Sequence, residues 1–179
     1  DCSYSDANLV RAIEYAVAQG AQVINMSLGG EVDNDPSLEN AVRAAAAAGV
    51  LVVISAGNEA EPAGTDDQGN PVDAVGTEPD EPAYIAGEAG ALGRVVAVGS
   101  VDLNGLISDF SNRAGPSAQN YYILAPGEGV ISTGPDDDVV FPGDGTNDAD
   151  DEGDYYRISG TSFSAPYVAG ALALMLDAF

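Results

Sequence analysis

The chain of 179 residues contains no histidine, no tryptophan and no lysine, and its 5 basic residues are all arginine. Imidazole is the side chain that most often takes the proton from a serine or cysteine nucleophile, so these residues cannot supply that base themselves. The 29 acidic residues give a formal net charge of −24. Nucleic acid is therefore not an expected partner, because phosphate contacts need clustered Lys and Arg side chains.

Cysteine and long apolar runs are also scarce. Cys2 is the only cysteine, so no disulfide can form within the chain, and a small thiol without a role is the simplest interpretation. The apolar run 165–176 is too short for a membrane span and contains proline and glycine. The chain begins at Asp1 with neither a methionine nor a signal peptide, which suggests excision from a longer precursor.

Two helices are predicted in the first fifty residues. Ser5 and Asp6 are typical of a helix N-cap, and apolar residues then recur at helical spacing until Gly20. Asp35 and Pro36 fit the N-cap and first position of a second, alanine-rich helix that ends before Gly49. A third helix is predicted over 163–176.

Four short, largely apolar runs are typical of strands in a buried parallel sheet, at 23–28, 50–55, 95–100 and 121–125. The order strand, helix, strand in the first half predicts a right-handed βαβ unit. The sequence thus predicts an α/β domain whose mainly parallel sheet is covered on both faces, with a site at the carboxyl ends of the strands. The acidic, Gly- and Pro-containing regions 59–93 and 135–156 are predicted to be long loop excursions.

Three segments fall where such a site is expected: VINMSLGG at 23–30, SAGNE at 55–59 and GTSFSAP at 160–166. Glycines after the first strand let another backbone approach, although a turn after a core strand explains them equally well. Gly57-Asn58 alone is typical of an ordinary turn. Ser162 precedes an apolar helix, where it could serve as an N-cap or as an exposed nucleophile at the positive end of the helix dipole.

Together and in this order, the three segments resemble the subtilisin-like serine peptidases. The resemblance runs from the first helix to the last and implies a three-layer αβα fold, with residues 1–179 forming one partial peptidase domain. It implies hydrolysis of peptide bonds, with Ser162 as nucleophile and Asn58 as oxyanion donor beside the backbone N–H of Ser162. Neither an Asp-Thr-Gly-like strand end nor a His-Gly-Thr-His-like helix is present, so the N-terminal part of the domain, with the Asp and His, is expected upstream.

The resemblance also assigns a substrate cleft. Its two sides would be formed by the segments Ser27-Leu28-Gly29 and Ser55-Ala56-Gly57, and the first segment would pair with an extended peptide. The expected partners are a peptide or protein substrate and the N-terminal part of the same domain. The base of the cleft falls within the loop excursion at 59–93, so the substrate preference stays open.

No cofactor is required for this chemistry, but the family commonly holds structural calcium. The acidic stretch Asp148–Gly153 resembles the start of an EF-hand loop, yet Glu152 stands at position 5 and Ser159 at position 12, so the match is poor. The metal site is therefore unknown, and calcium is one alternative to a solvated loop. The acidity also fits adaptation to high salt or a solubility device. Secretion is the expected localisation.

Two other functions remain open. The absence of histidine favours a pseudopeptidase that binds extended peptides without cutting them, and the net charge favours an acidic cation-binding or adhesive module. Only the peptidase and pseudopeptidase hypotheses explain the three ordered segments. For the isolated chain we expect negligible hydrolysis, because it lacks the base, and weak or no cooperative unfolding, because half a sheet would expose an edge.

Overall fold

The computed structural model describes residues 5–30, 35–65, 68, 71–133 and 155–179. The helices in this part of the chain are α1 (Asp6–Ala18), α2 (Ser37–Ala47), α3 (Gly115–Ala118) and α4 (Thr161–Ala178). The strands are β1 (Val23–Met26), β2 (Leu51–Ser55), β3 (Gly64–Thr65), β4 (Pro71–Val72), β5 (Val95–Val101), β6 (Tyr122–Pro126), β7 (Val130–Thr133) and β8 (Tyr155–Ile158).

A four-stranded sheet in the order β1-β2-β5-β6 forms the centre of the fold, and every neighbouring pair is parallel. Strands β1 and β2 are joined through α2, which confirms the predicted βαβ unit. Two antiparallel pairs, β3 with β4 and β7 with β8, lie outside this sheet. All four central strands end at the same edge, and this edge carries the candidate site.

The two faces of the sheet are covered by different helices. Side chains alternate along β2, so Val52 and Ile54 join the larger apolar cluster with residues of α1 and α2, while Val53 joins a smaller cluster. In the smaller cluster, Ala165 and Val168 of α4 pack with Val53 and its neighbours in the sheet. This arrangement confirms the predicted mainly parallel α/β fold with helices on both faces.

The predicted N-cap of α1 is confirmed, and the predicted start of α2 is one residue off. Ser5 is the N-cap of α1 but its side chain makes no capping hydrogen bond; its carbonyl instead accepts the N–H groups of Asn8 and Leu9. Helix α2 begins at Ser37, one residue later than predicted, and the carboxylate of Asp35 accepts the Ser37 N–H at 3.0 Å.

Region 59–93 is more structured than the loop that the composition suggested. Besides β3 and β4, it contains short 3₁₀ helices at Ala83–Gly87 and Ala89–Ala91, and Ala83, Ile85 and Ala86 are fully buried in the larger cluster. These buried apolar residues are too few to produce a periodic pattern in the sequence, but they pack the region against the sheet. Within the part of the chain that the structure describes, no helix is long and apolar enough to cross a membrane.

Helix α4 begins at Thr161, two residues earlier than predicted, and it is buried only in its first half. Leu174 and Met175 near its end are 74% and 57% exposed. Residues 135–154 of the predicted loop excursion 135–156, with the calcium hypothesis that rests on them, and Cys2 lie outside the described residues. The last two residues of that excursion, Tyr155 and Tyr156, belong to β8 and not to a loop.

Candidate active site

The fold brings the three sequence segments together at the carboxyl edge of the sheet. Ser27 follows β1, Asn58 follows β2 after a short turn, and α4 starts at Thr161 across from both. Contacts join α4 to β1, β2, β5 and β6. Residues separated by more than a hundred positions in the sequence are therefore direct neighbours, as the rule for parallel sheets predicts.

Thr161, the first residue of α4, fastens the segment after β2 to the start of the helix. It is fully buried. Its Oγ1 accepts the N–H of Gly57 at 3.2 Å, and its hydroxyl proton has two acceptors within reach, the Gly57 carbonyl at 3.3 Å and Asn58 Oδ1 at 3.1 Å. The side chain of Thr161 thus holds the backbone of Gly57 in place.

The hydrogen bonds that join Thr161 to Gly57 and Asn58, called the clamp below, also orient the Asn58 side chain. Its Oδ1 accepts the backbone N–H of Thr161 at 2.8 Å, which satisfies one of the N–H groups that have no partner within the first turn of a helix. Because the carbonyl half of the carboxamide is engaged, its Nδ2 group is the half available to an outside acceptor. Asn58 is exposed, so such an acceptor can reach it from solvent.

Ser162 is the second residue of α4 and is half-buried. Its Oγ lies 3.5 Å from the carbonyl oxygen of Ser27, a distance at the outer limit of a hydrogen bond, while the hydroxyl of Ser27 donates to the carbonyl of Ser162 at 2.7 Å. The N-cap of α4 is Gly160, so Ser162 does not occupy the capping position that the sequence left open. Its hydroxyl lies at the positive end of an 18-residue helix.

The two predicted sides of the cleft contact each other at their bases. Ser55 is buried, and its hydroxyl lies 3.2 Å from the carbonyl of Leu28, to which it donates. Gly57 is buried as well, with φ +107, and an added Cβ there would lie within 2.6 Å of three polar side-chain atoms. Only glycine fits at position 57, because both the backbone conformation and the space exclude a side chain.

Asn112, which lies outside the three sequence segments, supports the Gly57–Glu59 turn through hydrogen bonds. It is fully buried. Its Nδ2 donates to Glu59 Oε2 at 3.0 Å and to Asp80 Oδ1 at 2.7 Å, while its Oδ1 accepts the Glu59 N–H at 3.0 Å. Its backbone N–H donates to the Gly57 carbonyl at 3.1 Å.

Tyr122 of β6 completes this support, since its hydroxyl donates to the Asn112 carbonyl at 2.6 Å. Burial raises the pKa of Tyr122, so the phenol stays a neutral donor. No local pattern marks Asn112 in the sequence, because it lies outside any periodic segment and its partners come from distant loops. Among the residues that the structure describes, no group of three or more His, Cys, Asp or Glu side chains could hold a metal ion.

The sequence matches the model of the subtilase family across residues 1–179. The chain belongs to the subtilase family. Relatives include the major intracellular serine protease of Bacillus subtilis, 36% identical over 93% of this chain, and subtilisin DY of Bacillus licheniformis, 32% identical over 96%. This subtilase chain spans 40% and 48% of the length of those two proteins.

Solved protease structures agree with this assignment. The prenylagaramide maturation protease PagA superposes with a TM-score of 0.68 at 31% identity, over 99% of this chain and 51% of that one. A cold-adapted subtilisin-like serine proteinase superposes with a TM-score of 0.64 at 25% identity, over 98% and 49% of the two chains. The resemblance expected from the three segments is therefore confirmed at the level of family and fold.

Proposed function

We propose that this chain carries the nucleophile of a serine endopeptidase, with Ser162 attacking the carbonyl carbon of a peptide bond. The observation that carries the proposal is the clamp between Asn58 and Thr161. It holds a carboxamide against the first turn of α4, beside a serine hydroxyl and at the positive end of the helix. Both groups serve the same chemistry, since attack by Ser162 creates a negative charge that a nearby donor and the helix dipole stabilise.

The proposed reaction proceeds in two stages. The Ser162 hydroxyl loses its proton to a base as Oγ bonds to the carbonyl carbon, and the oxyanion accepts hydrogen bonds from Asn58 Nδ2 and the backbone N–H of Ser162. The tetrahedral species then expels the amine, which takes a proton from the same group, and leaves an acyl-enzyme on Ser162. Water hydrolyses that ester by the reverse sequence of proton transfers.

The base is proposed to be a histidine outside these 179 residues, oriented by an aspartate that also lies outside them. The chain contains no histidine, whereas relatives named as serine proteases are more than twice as long as the matching region. β1 is the end strand of the central sheet in the described part of the chain, so further sequence could extend the sheet at that edge. The substrate is proposed to be an extended peptide that lies along Ser27-Leu28-Gly29 and opposite Ser55-Ala56-Gly57.

The test is proteolysis by the gene product that contains these 179 residues, compared with its Ser162→Ala variant. We expect the variant to lose hydrolysis of an unfolded protein substrate by several orders of magnitude while it keeps its fold, because the nucleophile is removed but no buried contact is. Ser117→Ala is the matched control, since Ser117 is an exposed serine whose hydroxyl bonds Glu78. Proteolysis that survives Ser162→Ala would overturn the proposal.

A second candidate is a pseudopeptidase, which the absence of histidine favours. It would bind the peptide in the same cleft without hydrolysing it. Peptide binding measured by fluorescence anisotropy, together with no hydrolysis in the unaltered gene product, would support this candidate over the first. For the 179-residue chain alone, we expect negligible hydrolysis even where the gene product is active.

Calcium binding and secretion also stay predictions. Two of the most similar relatives are named intracellular serine proteases, whereas others are named subtilisins, so the names do not fix one compartment. Titration calorimetry with calcium at about millimolar concentration, a level at which weak protein sites fill, tests the acidic residues 136–138 and 144–154. An absence of heat would remove the calcium hypothesis.

A further inference from the structure

Pro166 interrupts the hydrogen bonding of α4 at the carbonyl of Ser162. In an α-helix the N–H of each residue donates to the carbonyl four positions earlier, so residue 166 would be the donor for Ser162. Pro166 lies inside α4, and proline has no N–H to donate. Its ring also crowds the carbonyl four positions earlier. The carbonyl of Ser162 therefore lacks its usual helical donor and needs one from outside the helix.

The hydroxyl of Ser27 supplies that donor. It donates to the carbonyl oxygen of Ser162 at 2.7 Å, the ordinary length of a hydrogen bond between a hydroxyl and an oxygen. The side chain of Asn25 in turn donates from Nδ2 to Ser27 Oγ at 3.0 Å. Because a hydroxyl has one proton, and Asn25 occupies a lone pair of Oγ, the proton of Ser27 is left for Ser162.

Two adjacent residues of α4 are thus fastened to two different strand ends. Thr161 bonds the segment after β2 through the clamp, whereas Ser162 bonds the residue that follows β1. The carbonyl of Ser27 also lies 3.5 Å from Ser162 Oγ, so Ser27 is next to both the backbone and the side chain of the proposed nucleophile. This arrangement limits movement of Ser162 relative to Asn58, and a displacement of about 1 Å at a reacting group can cost about a hundredfold in rate.

We propose that Ser27 is a positioning residue for the nucleophile, and that Pro166 permits this role by leaving the carbonyl of Ser162 free. The inference rests on the proposed function, because it concerns the same reaction. The hydroxyl of Ser27 acts on Ser162, whereas its backbone is the part that belongs to the proposed peptide-binding segment. Loss of the hydroxyl should therefore lower kcat, which depends on the attack by Ser162 Oγ, and leave KM nearly unaltered.

The experiment measures kcat and KM on one peptide substrate for the unaltered gene product, for Ser27→Ala, for Pro166→Ala and for the double variant. With Pro166 present, Ser27→Ala should lower kcat about three- to tenfold, the range that corresponds to one neutral hydrogen bond, and change KM by less than about twofold. Pro166→Ala restores an N–H that can donate to the Ser162 carbonyl along the helix. In that background, Ser27→Ala should lower kcat by less than about twofold, because the carbonyl keeps a donor.

Two further variants separate positioning from a general loss of stability. Ser27→Thr retains the hydroxyl and should recover most of the kcat that Ser27→Ala loses. Ser117→Ala is the matched control, because it also removes an exposed hydroxyl that has a distant partner, Glu78, and it should change kcat by less than about twofold. If Pro166→Ala does not fold, the comparison of Ser27→Ala with Ser27→Thr decides, and equal losses of kcat would count against the inference.

The outcomes distinguish this inference from the proposed function. An unchanged kcat in Ser27→Ala, or an equal loss with and without the Pro166→Ala change, would overturn the inference and leave the proposed function standing. Failure of the unaltered gene product to hydrolyse the peptide, or hydrolysis that survives Ser162→Ala, would overturn the proposed function and the inference with it.

Discussion

The two faces of the central sheet are built in different ways. Among the residues that the structure describes, the face covered by α1 and α2 holds a cluster of 17 buried residues, including Val42, Ile54 and Ile85, each fully buried. The face covered by α4 holds five buried residues in its cluster, and the start of that helix is fastened instead by hydrogen bonds from Thr161 and Ser164. Apolar packing dominates the first face, and polar contacts fix the second.

The difference shows how one sheet serves stability and chemistry at once. An apolar cluster is non-directional and tolerates small shifts, so it stabilises a domain without fixing any one atom closely. Hydrogen bonds are directional, and they set the positions of Asn58 and Ser162 relative to each other. The candidate site therefore lies where this second face meets the carboxyl edge of the sheet, and directional hydrogen bonds fix the positions of its residues.

The largest effect on stability is expected from the apolar face. Ile54→Ala should lower the free energy of unfolding by about 2–5 kcal/mol, because a fully buried side chain leaves a cavity between the sheet and α2. Urea denaturation of the gene product in a Ser162→Ala background, which prevents self-digestion, measures the loss. Ile54→Val, with one methyl removed, should cost about 0.5–1.5 kcal/mol. Equal costs for the two variants would contradict the assigned packing.

The polar face should respond to the loss of one hydroxyl. Thr161→Val keeps the shape of the buried side chain but leaves the Gly57 N–H without its acceptor, at a cost of about 1–3 kcal/mol. In the otherwise unaltered gene product it should also lower kcat more than it raises KM, because the Asn58 carboxamide loses one of its contacts. Thr161→Ser retains the hydroxyl and should restore both stability and kcat. If Thr161→Val keeps the stability and the kcat of the unaltered protein, the hydroxyl of Thr161 is not what holds the two segments together.

The apolar face contains one polar contact that can be tested by pH. Burial, with a hydrogen bond to Glu39, raises the pKa of Tyr84 to about 12. An unfolded chain loses this proton near pH 10, as an ordinary tyrosine does, so the contact stabilises the fold below about pH 10 and its contribution is lost as the pH rises towards 12. Tyr84→Phe should therefore destabilise the protein at pH 7 by about 1–3 kcal/mol, since Glu39 is buried and loses a donor.

The same variant should show a shallower decline in stability above pH 10, because it lacks the group that titrates there. Urea midpoints at several pH values between 7 and 11 give the comparison with the unaltered protein. Parallel alkaline declines in the two proteins would show that Tyr84 ionises normally.

The smallest effect is expected at the exposed end of α4. Leu174→Gln should change the free energy of unfolding by less than about 0.5 kcal/mol, because Leu174 is 74% exposed. Val168→Ala on the same helix is the contrasting variant and should cost about 2 kcal/mol, since Val168 is 7% exposed and belongs to the smaller cluster. A large cost for Leu174→Gln in the gene product would show that another part of that protein covers this end of the helix.

The sequence was sufficient where local pattern and tertiary structure agree. The strand at 50–55 is a continuous apolar run and is buried on both faces, and the alanine-rich segment before Gly49 could only be a helix. The juxtaposition of Asn58 with the start of α4 followed from the rule that parallel strands end at one edge. The position of these residues at the strand ends was thus predictable without coordinates.

The residues that support the candidate site were not predictable, because they carry no local signal in the sequence. Asp80 lies in an acidic region where a solvated carboxylate is the ordinary expectation, and only the pairing of its segment with Ala56 and Gly30 reveals its place. Asn112 has polar neighbours in sequence and yet is fully buried, since its hydrogen bonds are satisfied by Glu59, Asp80 and Gly57. Tertiary contacts decide both positions.

The contact between Gly57 and Thr161 joins residues 104 positions apart, and that between Ser27 and Ser162 joins residues 135 positions apart. Closing such long loops costs conformational entropy, so we expect these contacts to form late in folding, after local helices and neighbouring strands. Ribosomal synthesis adds to this order, because Thr161 and Ser162 emerge after nearly all of the sheet. The arrangement of Asn58 and Thr161 around Ser162 therefore arises only with completion of the fold.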